Sequence, residues 1–300
     1  MIRVDDGVLF FPVTPFDGEG EFAPDAFRAH LADGLRFEPG GVFAACGTGE
    51  YFSLDEDEYR SVVRIAVEEA AGRVDVAAGA GGPTRRAIRD ARAAIEEGAT
   101  TILAMPPYLV RGSQAGLVDH FTRIADAVDA DVIVYHRDNA VLSPESVRQL
   151  ARHPRVVGLK DGHGDVGLLE RIVATVDESD FVYFNGMPTA ELYARAFRGV
   201  GVRAYSSAVF CFAPEIAVAF HRALATGDEE TIALLLRDFF VPLVEIRDRA
   251  PGYAVALVKA GVALRGIDAG GVRPPLRDAD PDDLADLSRL VDRARATAGV

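Results

Sequence analysis

The sequence predicts an α/β chain folded as a (β/α)8 TIM barrel with a C-terminal helical extension. Three observations carry this. Eight short β-rich runs recur at intervals of roughly 20 to 35 residues, the scale of one βα unit. Most of these runs are apolar on both faces, as strands of a parallel sheet covered on both sides must be. Between them lie segments with helical spacing of their apolar residues. An open doubly wound sheet is built of the same units but rarely needs eight regular ones.

The elements follow in order. GVLFFPVT (7–14) is the first strand, and PDAFRAHLADGLRF (24–37) the first helix, with Pro24 and Asp25 in its first turn. GGVFAAC (40–46) precedes LDEDEYRSVVRIAVEEAAG (54–72), which stops at a glycine. VDVAAGA (74–80) precedes PTRRAIRDARAAIEEG (83–98), and TTILAMP (100–106) precedes SQAGLVDHFTRIADAVD (113–129). DVIVYH (131–136) leads to SPESVRQLAR (143–152), opened by Ser143 and Pro144. VVGLK (156–160) leads to GDVGLLERIVATV (164–176), and FVYFNG (181–186) to MPTAELYARAF (187–197). VRAYSS (202–207) is the last strand. Beyond it 214–227, 228–249, 252–266 and 280–298 read as helices, and the Pro/Gly-rich 266–281 as a surface loop. The expected division is a barrel over 1–210 and a helical extension over 211–300 packed on it.

Composition narrows the function classes. The 300 residues are 49% hydrophobic, enough for a sizeable core. A net charge of −14 argues against nucleic acid, which needs clustered Lys and Arg. Cys46 and Cys211 are too few for a disulfide framework. The N-terminal stretch has no signal-peptide pattern, and no apolar run reaches membrane-spanning length. The expectation is a cytoplasmic protein without membrane or nucleic-acid partners.

In a barrel of this kind the site lies at the C-terminal ends of the strands. Those ends carry Gly47-Thr48-Gly49-Glu50, Tyr108, Tyr135-His136-Arg137, Lys160-Asp161, Asn185-Gly186 and Ser206-Ser207. Lys160 stands out, because only it and Lys259 among 32 basic side chains are lysines. An amine ending a buried strand loses charge by desolvation and attacks carbonyls as the neutral base. Arginine stays protonated. The other reading of Lys160 is a packed stem with its head snorkelling or paired to Asp161. Lys259 sits in a helical pattern and reads as structural. Tyr135 is a proton shuttle or an aromatic plug. Gly47, Thr48 and Gly49 hold a carboxylate through backbone amides and a hydroxyl, or form an ordinary turn. Asn185, Gly186, Ser206 and Ser207 are candidate contacts for hydroxyls or a second carboxylate. Arg137 is a carboxylate clamp or a rim ion pair with Asp138. GAGGPT (79–84) lacks the phosphate-loop lysine and the GxGxxG spacing, so it reads as a tight turn. His136, His163, Asp161 and Asp165 lack metal-site spacing, so neither metal nor cofactor is expected.

GTGE after strand two, tyrosine at the end of strand five and GLKD at strand six together resemble the dihydrodipicolinate synthase/N-acetylneuraminate lyase superfamily. The resemblance runs over the whole chain. It implies a Schiff-base lysine in a (β/α)8 barrel and a homo-oligomer, usually a tetramer. Synthase and lyase members carry a doubled hydroxyl before Gly-Glu; here CGTGE places Gly47 at the first of those positions. YHRDNA, NGMPTAE and AYSSAVF resemble the 5-dehydro-4-deoxyglucarate dehydratase branch, which converts a keto-deoxy sugar diacid to 2,5-dioxopentanoate with loss of water and carbon dioxide. The resemblance makes Lys160 the Schiff-base residue and Tyr135 its proton shuttle. It matches Tyr108 to a tyrosine that reaches a neighbouring subunit. A 2-keto-3-deoxy sugar-acid aldolase or synthase-like lyase on this scaffold, and a non-catalytic keto-acid-binding barrel, are the alternatives.

Overall fold

Eight strands pair in chain order, each parallel to the next, and the last returns to the first, closing a barrel. They are β1 (Leu9–Phe10), β2 (Gly41–Ala44), β3 (Val76–Ala80), β4 (Thr101–Ala104), β5 (Asp131–His136), β6 (Val156–Asp161), β7 (Val182–Asn185) and β8 (Ala204–Ser207). The computed structural model describes residues 8–176, 178 and 180–298. Gly7, assigned above to the first strand, and the six residues before it lie outside the described residues, as do the last two of the expected extension.

The outer layer is α1 (Pro24–Leu35), α2 (Glu56–Ala70), α3 (Thr84–Glu96), α4 (Gln114–Asp126), α5 (Pro144–Ala151), α6 (Val166–Val173) and α7 (Ala194–Gly199). Local chemistry starts several of them. Asp55 and Glu58 form a reciprocal capping box on α2, and Ser113, Ser143 and Asp165 accept the orphan amides of α4, α5 and α6. After β8 the chain is helical: α8 (Pro214–Thr226), α9 (Glu229–Leu235), α10 (Val241–Arg247), α11 (Tyr253–Leu264) and α12 (Pro281–Ala298). Phe220 of α8 packs edge-on against Tyr205 of β8.

Several boundaries differ from the sequence reading: the helix expected over 187–197 is a 3-10 turn, Ala190–Tyr193, followed by α7, and two further differences trace to prolines. Strand one pairs only at Leu9 and Phe10, because Pro12 has no amide to donate to the ladder. The single helix expected over 228–249 is α9 and α10 joined by a π-helical turn, Leu236–Phe240. Pro242, in the first turn of α10, cannot donate backwards, and the wider turn absorbs the missing bond.

Alternation along the strands makes two cores. Leu9, Phe11, Phe43, Ala77, Leu103, Ile133, Phe184 and Ala204 fill the barrel interior. Phe10, Val42, Ala78, Ile102, Val132 and Tyr205 face the helices. This is why the strands read as apolar on both faces. Phe239, Leu257, Leu287 and Val291 belong to the same outer core as Phe10 and Val42, so the C-terminal helices have no separate core. Among the described residues, no helix is long and apolar enough to cross a membrane.

Candidate active site

The site is built around β6. Its pairing with β5 slips by one residue between Val132 and Ile133: Val132 faces Val156, but Ile133 faces Gly158. Val157 still packs against the interior core. The extra residue therefore reverses the inward–outward alternation beyond it. Lys160 comes to lie opposite inward-facing Tyr135 and Phe184, and Asp161 opposite His136 and Asn185. Gly158 is required at the slip, since a Cβ there would lie 2.5 Å from Val182 Cγ2.

Lys160 is only 5% exposed. Its Nζ lies 4.0 Å from the ring centre of Phe11, 4.4 Å from that of Tyr135 and 5.8 Å from that of Phe184. Among the described residues it forms no ion pair. The alternative of a Lys160–Asp161 pair fails because the two alternate. Asp161 turns outward, where Oδ1 accepts the amides of His163 and Gly164. Burial lowers the Lys160 amine from its ordinary 10.5 to about 7, and the guanidinium of Arg137 pushes the same way. A thiolate at Cys46 would oppose this, but burial raises that thiol to about 12 and keeps it neutral. The stem runs against Gly186, where a Cβ would sit 2.4 Å from Lys160 Cε.

Tyr135 Oη donates to the carbonyl of Gly186 at 3.1 Å and accepts from Arg137 Nη1 at 3.0 Å. Burial raises its pKa, so the phenol is held protonated. Arg137 Nε also donates to Asp138 Oδ2 at 3.1 Å, the rim ion pair that was one of its two readings. The turn after β2 leaves the amides of Gly47, Thr48 and Gly49 without a backbone acceptor among the described residues, and Thr48 is half-buried at the rim. Glu50 fastens this turn from below: its Oε1 pairs at 2.7 Å with Lys259 Nζ, both side chains fully buried. Lys259 is thus structural, in agreement with its helical pattern.

Ser206 is half-buried, and its Oγ donates to the carbonyl of Asn185. Asn185 and Ser207, candidate contacts for hydroxyls or a second carboxylate, have their side chains engaged within the chain. Asn185 binds the carbonyl of Ala190 and the amide of Met187, and Ser207 binds buried Glu191 and the amide of Phe210. Both sit one residue out of phase with the inward positions, so both brace the strand ends. Tyr108 is 75% exposed. Sequence reasoning missed Phe11, Cys46 and Phe184. The alternation of FFPVT and YFN, followed from the strand centre outward, is the signal that finds the two phenylalanines. Among the described residues, no group of three or more His, Cys, Asp or Glu is arranged to hold a metal.

A closed parallel barrel with a buried, unpaired lysine at the C-terminal end of β6 defines an α/β barrel with a lysine-centred rim site. The chain belongs to the dihydrodipicolinate synthetase family, whose model matches residues 5–294. A probable 5-dehydro-4-deoxyglucarate dehydratase of Streptomyces coelicolor is 52% identical over 298 residues, covering 98% of this chain and 94% of that protein. The 5-dehydro-4-deoxyglucarate dehydratase of Pseudomonas putida is 43% identical over 98% of this chain and 97% of its own. The crystal structure of dihydrodipicolinate synthase from Oceanobacillus iheyensis superposes with a TM-score of 0.89 at 26% identity, over 98% of this chain and 97% of that one.

Proposed function

We propose that this chain is a decarboxylating dehydratase that converts 5-dehydro-4-deoxy-D-glucarate to 2,5-dioxopentanoate, water and carbon dioxide. The observation that carries the chemistry is the neutral-leaning amine of Lys160, buried among rings with no acidic partner. Relatives from 43% to 54% identical that bear this activity's name give the substrate.

Lys160 attacks the ketone beside the substrate carboxylate, and water leaves to give an iminium. Tyr135, braced by Arg137 and the Gly186 carbonyl, passes the protons of that collapse. The iminium acidifies the neighbouring CH2. Loss of that proton gives an enamine, which expels the β-hydroxyl as water. The remaining hydroxyl-bearing carbon then passes its proton to the former ketone carbon and becomes a ketone conjugated through the new double bond. That ketone takes up the electron pair as the carboxylate on the former ketone carbon departs as carbon dioxide, protons add to the two carbons between, and hydrolysis returns the amine and an aldehyde. The unclaimed amides of Gly47, Thr48 and Gly49, with the Thr48 hydroxyl, hold the carboxylate beside the keto carbon. Arg137 and Ser206 take the distal hydroxyls and acid. Gly186 gives the lysine stem its room. The active form is a cytoplasmic homo-oligomer, a tetramer by family likeness, with Tyr108 at a subunit contact.

Incubation with 5-dehydro-4-deoxyglucarate, with carbon dioxide and 2,5-dioxopentanoate measured, tests this reading. Pyruvate plus an aldehyde would make the chain an aldolase instead. No turnover, together with no borohydride-trapped adduct on Lys160 for any 2-keto acid, would leave a non-catalytic barrel.

A further inference from the structure

The reaction makes Lys160 a cation at a place where, among the described residues, the chain supplies no counter-ion. In forming the iminium, the amine lone pair makes the C–N bond and the carbonyl oxygen leaves as water. One proton of that water comes from the amine and one through Tyr135. The nitrogen ends positively charged in a C=N bond. Loss of the neighbouring proton then discharges it to a neutral enamine. A carboxylate beside the nitrogen would steady the cation, but it would also keep the free amine protonated and blunt the iminium as an electron sink. The face of an aromatic ring attracts a cation more weakly and carries no charge of its own.

Phe11 supplies such a face. It follows β1 at its C-terminal end, points inward with Leu9 while Phe10 points out, and lies closer to Lys160 Nζ than any other ring. It is stacked on Phe43 with ring centres 4.4 Å apart and planes 11° apart, and Phe43 in turn meets Phe184 at 5.6 Å. The ring is therefore fixed from behind and presents one face to the amine. We propose that Phe11 is a further residue of the reaction: its face stabilises the iminium cation on Lys160 while leaving the free amine able to lose its proton. This rests on the Schiff-base reading of Lys160 given above.

The test grades the ring without changing its shape. Position 11 is replaced site-specifically by 4-fluoro-, 3,5-difluoro- and pentafluorophenylalanine, with Phe11→Leu alongside. Pyruvate serves as probe, since it has no β-hydroxyl to expel. The readout is the fraction of Lys160 carrying the borohydride-reduced adduct against pyruvate concentration. At about pH 9 the amine is neutral and the iminium is a gained charge, so adduct formation weakens about three- to tenfold along the fluorine series. At about pH 6 a protonated amine becomes an iminium, cation for cation, and the series is flat. The other groups facing the amine do not titrate between: burial holds the Cys46 thiol and Tyr135 phenol protonated, and Arg137 stays charged. Equal adduct formation along the series at the higher pH overturns the proposal. So does an equal loss at both pH values, which would mark a packing role. No adduct in the unmodified protein removes the Schiff-base reading as well, whereas a trapped adduct with a flat series removes the Phe11 inference alone.

Discussion

Lys160 is kept out of water at the C-terminal end of β6. Holding Lys160 near neutrality has a stability cost whose sign is fixed by linkage. Its folded pKa, about 7, lies below the ordinary 10.5, so between those values the unfolded chain binds more protons. Stability therefore rises with pH across that window. At neutral pH Lys160→Met, similar in length and uncharged, should abolish turnover and yet raise stability by up to ~4 kcal/mol. Denaturant titration beside a carbon dioxide assay checks both. In the wild type, kcat/KM should fall about tenfold per pH unit below about pH 7, as the free amine is protonated. A pH–rate profile flat down to about pH 5 would contradict the role of the amine. Lys160 was legible in the sequence because arginine fills nearly every other basic position. Phe11 was not, because a phenylalanine in an apolar strand looks like any other core residue until its neighbours are known.

Elements decide which way residues point. The one-residue slip between β5 and β6 turns Lys160 into the barrel, and Gly158 permits it. Gly158→Ala should therefore cost about 1–3 kcal/mol through crowding against Val182 and lower turnover at least tenfold, as Lys160 shifts. Thermal melts and steady-state kinetics measure the two effects. The turn after β2 depends on an element far away in sequence: Lys259 of α11 pairs with Glu50 in full burial. Removing one partner, by Glu50→Gln or Lys259→Met, should destabilise by about 3–5 kcal/mol, because it strands the other charge. The double variant should recover part of that loss, and KM should rise as the Gly47–Gly49 amides lose their support. A double variant no more stable than the worse single one would refute the pairing. GTGE is readable as a motif; the reason for its glutamate is not, because the partner is 209 positions away.

For the whole molecule, burial of titratable groups sets the acid limb of stability. His30 and His136 are fully buried and neutral, each lowered by burial from 6.5 to about 4. Below 6.5 the unfolded chain takes up protons that the folded chain refuses, so stability falls as pH drops from 6.5 toward 4, by up to ~3 kcal/mol for each histidine. Glu191 works against this. Burial raises it from 4.5 to about 7, so its penalty is relieved on acidification over nearly the same range. The net expectation is a loss between about pH 6.5 and 4, made steeper by Glu191→Gln and shallower by His136→Gln. Unfolding free energies measured across that range test the balance of the three groups.

The sequence by itself determined the eight-strand barrel and the helices that follow it, and it singled out Lys160 as a candidate, because each is written locally. Apolar alternation, capping residues and turn glycines act between near neighbours, and an amine among guanidiniums is visible in composition alone. The tertiary structure decided orientation and pairing. Whether Lys160 faces in or out turns on a one-residue slip between strands, and a period of two amplifies that slip into a change of face. The same parity sends Asn185 and Ser207 outward as braces and Phe11 inward as a floor. Pairing partners such as Glu50 and Lys259 meet only when the chain closes, since desolvation and Coulomb attraction depend on distance in space, which a sequence does not record.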